Sequence, residues 1–148
     1  MESIENTVAQ WAAEQGLHFE DDGYYFVGEN GVKGHIKSGH KGKVIYLSTY
    51  LEQSAQLNSV STLKVALKLN LFLDQTAGGF IAFDPLLNDL LYTATLSESQ
   101  IDPLNLSNVL SNLLTKTLEL REKFAATHHE SSALNAPKLD NLHHLIRV

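Results

Sequence analysis

The side chains able to do chemistry in this chain are an Asp21-Asp22 pair, a glycine-containing loop and seven histidines, in a sequence without cysteine. His35 and His40 bracket that loop, but metal binding or acid–base work needs a third ligand or an orienting carboxylate, and the spacing supplies neither. Asp21 and Asp22 are adjacent, so on a strand their carboxylates point to opposite faces, and Asp-Asp-Gly is an ordinary turn sequence. His128-His129 and His143-His144 are also adjacent pairs, and neighbouring helical side chains diverge by about 100°, which makes no chelate. Gly34 to His40 has the outline of a phosphate loop, yet histidine stands where lysine is required and no Ser or Thr follows. The reading is therefore of no catalytic residue, no metal site and no cofactor. Binding, rather than chemistry, is the expected function.

The elements that would carry a binding surface read as helix, three strands, helix, two strands, helix. The first helix is capped by Ser3, carries Ile4, Val8, Trp11 and Ala12 on one stripe, and stops at Gly16. Strands are expected around Tyr24 to Val27, Val32 to Lys37 and Lys43 to Tyr50, joined by Glu29-Asn30-Gly31 and by residues 38–42 as hairpin turns. A helix spans Val60 to Thr76, Gly78-Gly79 breaks it, and strands at Phe80 to Asp84 and Leu90 to Leu96 follow. Asp102-Pro103 opens the last helix, with Leu106, Val109, Leu110, Leu113, Leu114, Thr117, Leu120 and Phe124 on one stripe. Helices grouped against an antiparallel sheet make an α+β domain of order α-β-β-β-α-β-β-α.

Two of these elements have more apolar surface than one core consumes. On the central helix Val65, Leu69, Phe72 and Leu73 form one face and Leu63, Leu67 and Leu71 another. Each leucine left in water forgoes about 1.5–3 kcal/mol of burial, so the second face must meet another helix of its own domain or a partner chain, and a homodimer is the economical solution. The strand at Lys43 shows Ile45, Leu47, Thr49 and Leu51 on one side and Val44, Tyr46 and Tyr50 on the other. Either helices cover both faces of the sheet, or one face is an uncovered, tyrosine-rich surface suited to intermittent burial.

The 148 residues, 43% hydrophobic, suffice for one ordinary core, read as a domain at 1–130. Glu130-Ser131-Ser132 and Ala136-Pro137 separate it from a tail at 131–148, where Leu139, Leu142, Leu145 and Ile146 recur at helical spacing. The tail is expected to dock back on the same protein. A net charge of −6 without a basic cluster would repel phosphate backbones, so nucleic acid is not an expected partner. The start lacks a signal peptide, no apolar run spans a membrane, and the absence of cysteine suits a reducing compartment. A cytoplasmic protein without membrane insertion is expected.

The stretch LKLNLFLDQTAGGFIAFDPLLNDLLYTATL, followed by IDPLNLSNVLSNLLTKTLELREKF, resembles the second half of the class I type III secretion chaperones. Leu67 to Asn70 matches their Leu-x-x-Asn-like helix element, Gly78 to Asp84 the glycine-bounded turn and strand, and Leu104 to Phe124 the closing helix. The layout agrees over about residues 1 to 125, the residues themselves from about Leu63 onward. The resemblance implies a homodimeric cytoplasmic holdase that binds an amino-terminal, non-globular segment of one or a few secreted effectors without ATP, and contact with the secretion ATPase is open. It implies client contacts at Val8, Trp11, Phe19, Tyr24, Phe26, Ile36, Val44 and Tyr46 and a dimer interface at Leu63, Leu67, Asn70, Leu71 and Phe80. A dimeric regulatory or adaptor domain that binds a folded partner is the alternative, and a small enzyme a distant third.

Overall fold

The first helix begins where the sequence offers a cap. In a computed structural model that describes residues 3–133, with side chains through Thr127, the Ser3 hydroxyl accepts from the Asn6 amide at 3.2 Å and opens α1 (Ile4–Glu14). Gly16, at φ +72°, ends the turn that follows. Strands β1 (His18–Glu20), β2 (Gly23–Val27), β3 (Lys33–Gly39) and β4 (Val44–Tyr50) then run as a meander. After α2 (Val60–Asn70) come β5 (Phe80–Asp84) and β6 (Asp89–Ser97), and α3 (Pro103–Ala133) closes the chain. The Asp102 carboxylate accepts from the Asn105 amide at 2.8 Å, which caps α3 just before the proline that starts it.

The six strands form one antiparallel sheet in the order β1-β2-β3-β4-β6-β5. The expected α+β class and element order hold, with one strand added. β1 is three exposed residues, too short to show an alternation in sequence.

Register decides which face holds the core. Phe26, Ile36, Ile45, Leu47, Leu96, Tyr92, Leu90 and Ile81 share one side of the sheet, and all are buried in a single cluster with Trp11, Leu106, Leu113, Leu120 and Phe124. The described helices pack on that side. The Trp11 indole N–H donates to the Ser107 hydroxyl at 2.9 Å, joining α1 to α3, and Thr49 meets Thr117 at 2.6 Å under α3. These buried hydroxyls are satisfied in turn, since Thr117 donates to the Leu113 carbonyl. Of the two readings of the tyrosine-bearing strands, the described residues fit the second, with no described helix packed over that face.

Two helix boundaries differ from expectation. α2 ends at Asn70 rather than Thr76, because Phe72 and Leu73 take left-handed backbone at φ +61° and +58°. Phe72 and Leu73 therefore leave the core face assigned to them and are exposed. At the other end, α3 runs through the serine-rich 130–132 to Ala133, since serine and glutamate interrupt a helix far less than glycine or proline. The proposed boundary at 130 thus falls inside α3. The tail positions Leu139, Leu142, Leu145 and Ile146 and the pair His143-His144 lie outside the described residues, as do the side chains of His128 and His129.

Candidate functional site

Alternation along the strands and the narrow stripe of α1 bring four of the eight expected client-contact residues to one place. Val8 from α1, Phe19 from β1, Tyr24 from β2 and Ile36 from β3 line a groove of about 380 Å3 between α1 and the sheet. Its floor is apolar, with Ile45 beneath, and its rim carries Glu5, Asp22 and Lys37. Lys37 and Asp22 pair at 3.6 Å across that rim. Phe19 is 65% exposed and packs against Tyr24 in a tilted pair with ring centroids 5.1 Å apart, so the groove has an aromatic wall open to water.

The other four do not join it. Trp11 and Phe26 are buried in the core behind the groove and support its wall from within. Val44 and Tyr46 point to the opposite side of the sheet, where Tyr46 lies across Gly39 and approaches His40 with ring centroids 6.3 Å apart. On that uncovered side His35 is buried between Tyr25 and Tyr50, and its Nδ1 is hydrogen-bonded to the Tyr50 hydroxyl at 3.2 Å. Burial and then Lys37 hold the His35 pKa below its ordinary value of 6.5, against the opposing pull of Asp84 and Asp22. Burial raises the pKa of the Tyr50 phenol, helped by Tyr25, Asp84 and Asp89. His35 is thus a neutral packing residue, with His40 separate from it. Among the described residues no three His, Asp or Glu side chains converge as metal ligands would.

At the far end of the sheet, α2 packs on α3 and β5 through Thr62, Ala66 and Leu69. Its outward side keeps Leu63, Leu67 and Leu71 exposed, Leu67 at 72%. Phe80 is half-buried at the edge strand. Asn70 has a different position from the other expected interface residues. Its amide N–H donates to the Ile81 carbonyl at 2.9 Å and its oxygen accepts from the Ile81 amide at 2.7 Å, a two-point clasp on the outer edge of β5.

Beyond Asn70 the chain turns sharply and presents Phe72, 88% exposed. Left-handed backbone costs a non-glycine residue about 1–2 kcal/mol, so two in succession need support. The Asn70 clasp holds one side. On the other, the Thr76 hydroxyl donates to the Gly79 carbonyl and the buried Tyr92 hydroxyl donates to the Thr76 carbonyl, each at 2.6 Å. Sequence reasoning missed Phe72 and Leu73 as surface residues, and no local signal marks them: glycine or asparagine announces positive φ, phenylalanine does not.

The fold has known counterparts. A chain of the HopA1-SchA chaperone-effector complex aligns with a TM-score of 0.61 at 16% identity, over 80% of this chain and 92% of that one. A chain of the ExsC-ExsE complex gives 0.65 at 14% identity, over 80% and 91%. A chain of the heterodimeric ExoU-SpcU complex from the type III secretion system of Pseudomonas aeruginosa gives 0.56 at 15% identity, over 80% and 94%. No curated protein matches the sequence. Residues 7–121, which contain the whole sheet, both candidate surfaces and most of α3, match the profile described as the Tir chaperone protein (CesT) family. The chain is a member of that family of type III secretion chaperones.

Proposed function

We propose that the protein is a homodimeric holdase that keeps one or a few type III effectors soluble and competent for secretion. It grips an amino-terminal segment of the client in non-globular form, works in the cytoplasm and consumes no ATP in holding. The observation that carries this reading is the groove of Val8, Phe19, Tyr24 and Ile36, an apolar trough open to solvent beside a short edge strand. A disordered segment recovers its ordering cost only through a large contact area, and a trough plus a strand edge offers side-chain and main-chain contacts together. Membership of a chaperone family, and the likeness in fold to a chain from a chaperone-effector complex and to one from a type III secretion complex, support the same reading. Val44 and Tyr46, on the reverse of the sheet, serve a client that wraps past the edge. Direct contact with the secretion ATPase is a further part of the proposal.

Isolation of the complex from the native cell tests it. A chaperone should bring down one or two partners held through residues near their amino termini, at two chaperone chains per client, and Phe19→Asp should release them while the dimer persists. A folded partner whose amino-terminal segment stays protease-sensitive would instead identify an adaptor.

A further inference from the structure

The turn between β5 and β6 carries leucines that its own geometry does not use. In Asp84-Pro85-Leu86-Leu87-Asn88-Asp89 the polar residues and the proline set the backbone. The Asp84 carboxylate accepts from the Leu86 amide at 2.9 Å, and Asn88 takes a left-handed φ of +50°. Leu86 is nevertheless 93% exposed, and Leu87 and Phe83 are each 52% exposed. Phe83 pairs with Leu90 across the hairpin, on the side of the sheet that carries the core and the helices. Three large apolar side chains on a held turn make a pre-organised patch, and among the described residues it stays open.

The last helix delivers the rest of the chain to this place. Thr117 meets Thr49, and one helical turn later Arg121 donates to the Tyr50 carbonyl at 2.6 Å, so α3 advances along β4 toward the end of the sheet where the turn lies. From Arg121 to Ala133 the helix rises about 18 Å and clears the turn. In sequence there follow Leu134 to Pro137, then Lys138 to Val148 with Leu139, Leu142, Leu145 and Ile146 at helical spacing. We infer that this segment returns as a short amphipathic helix and seats those four side chains on Leu86, Leu87 and Phe83 of its own chain. The inference is independent of the homodimer and of the client groove.

Reach, charge and position favour this occupant over a second copy or a client. Residues 134–138 can span about 17 Å, and a tether this short holds the segment at an effective concentration on the order of millimolar, so a weak contact suffices. The turn is bracketed by Asp84 and Asp89, and the Glu52 amide donates to the Asp89 carboxylate at 3.1 Å, which puts a third acid nearby with only Arg121 to offset it. Residues 134–148 have the opposite balance, with Lys138 and Arg147 against Asp140 alone in a chain of net charge −6. The client groove lies at the β1 end of the sheet, five strand spacings or about 24 Å from β5. A helix of this length is marginal in isolation, so its order depends on the contact.

The chain has no cysteine, so Leu86→Cys reports the patch directly. In the full chain its alkylation by a maleimide should be about tenfold slower, or more, than in the same variant carrying Leu142→Asp, as for a turn left free in at most about 10% of molecules. Equal rates in the two would overturn the inference. Slow alkylation that dilution relieves and Leu142→Asp does not would assign the turn to a second copy, and slowing confined to the complex isolated from the native cell would assign it to the client. Either result overturns the inference. A second measurement fixes the register. Leu86→Cys combined with Leu142→Cys should form a disulfide within one chain on oxidation, since a seated pair comes within the roughly 4.4–6.8 Å between Cα atoms that the bond needs. A link only between chains would overturn the inference, as would no link with cysteine at 139, 142 or 145.

Discussion

At the β1 end of the sheet, α1 takes Val8, Trp11 and Ala12 into the core, whereas at the β5 end α2 buries Thr62, Ala66 and Leu69 and leaves Leu63 and Leu67 outside. The two helices are the same length, eleven residues each. They differ in where their large side chains go. α1 is anchored by Trp11, fully enclosed and bonded to Ser107, while its outer wall contributes to a groove. α2 is seated through two small residues and one leucine, and Leu63 and Leu67 face outward. Stability is thus concentrated at one end and adhesive surface at the other, and a substitution should act on folding or on association according to its place.

The sharpest way to break this division is Trp11→Ala. Losing a fully buried tryptophan should cost about 3–5 kcal/mol, visible as a collapse of the denaturation midpoint, and a mild effect would mean that α1 is not the anchored helix. Asn70→Ala comes next, with an expected loss of about 1–3 kcal/mol because the Ile81 amide and carbonyl are left without their partner. Hydrogen exchange should accelerate at the Ile81 amide in particular. Leu67→Ser should change the stability of the dilute single chain by no more than about 0.5 kcal/mol, yet raise the concentration at which dimers form. Equal effects on both would erase the distinction between the two ends.

The smallest expected effect lies on the uncovered face. A buried histidine held below 6.5 stays neutral in the fold while the unfolded chain takes up a proton. Its contribution is complete above that value and is lost as pH falls below it, by at most one proton's worth of slope. His35→Gln should flatten the stability profile between neutral and mildly acid pH. Lys37, Asp22 and Asp84 bear on the same group, and a profile unchanged by the substitution would show that they or other groups govern it.

Much of this was legible in the sequence. Ser3 and Asp102-Pro103 marked two helix starts because caps are chemical signals, and alternation put Ile45, Leu47 and Thr49 together on one side of β4 without marking that side as the core. Tyr46 could be assigned to the reverse face by the same count. Nothing local distinguished Trp11 and Phe26, which support the groove from behind, from Phe19 and Tyr24, which line it, since all four are aromatic residues on apolar faces. That difference arises from α3 packing over the first pair, a contact about a hundred residues away in the chain for Trp11. The turn at Phe72 was hidden for another reason. Its shape is imposed by Asn70, Thr76 and Tyr92 acting from outside the segment.

The Asn70 fork on Ile81 also bears on whether the sheet can grow at its margins. A sheet protein with open margins risks stacking side by side into ribbons. With one margin sealed at its centre by a side-chain amide and the other only three residues long, lateral growth stalls after the first addition. Such a molecule resists edge-to-edge polymerisation even when crowded.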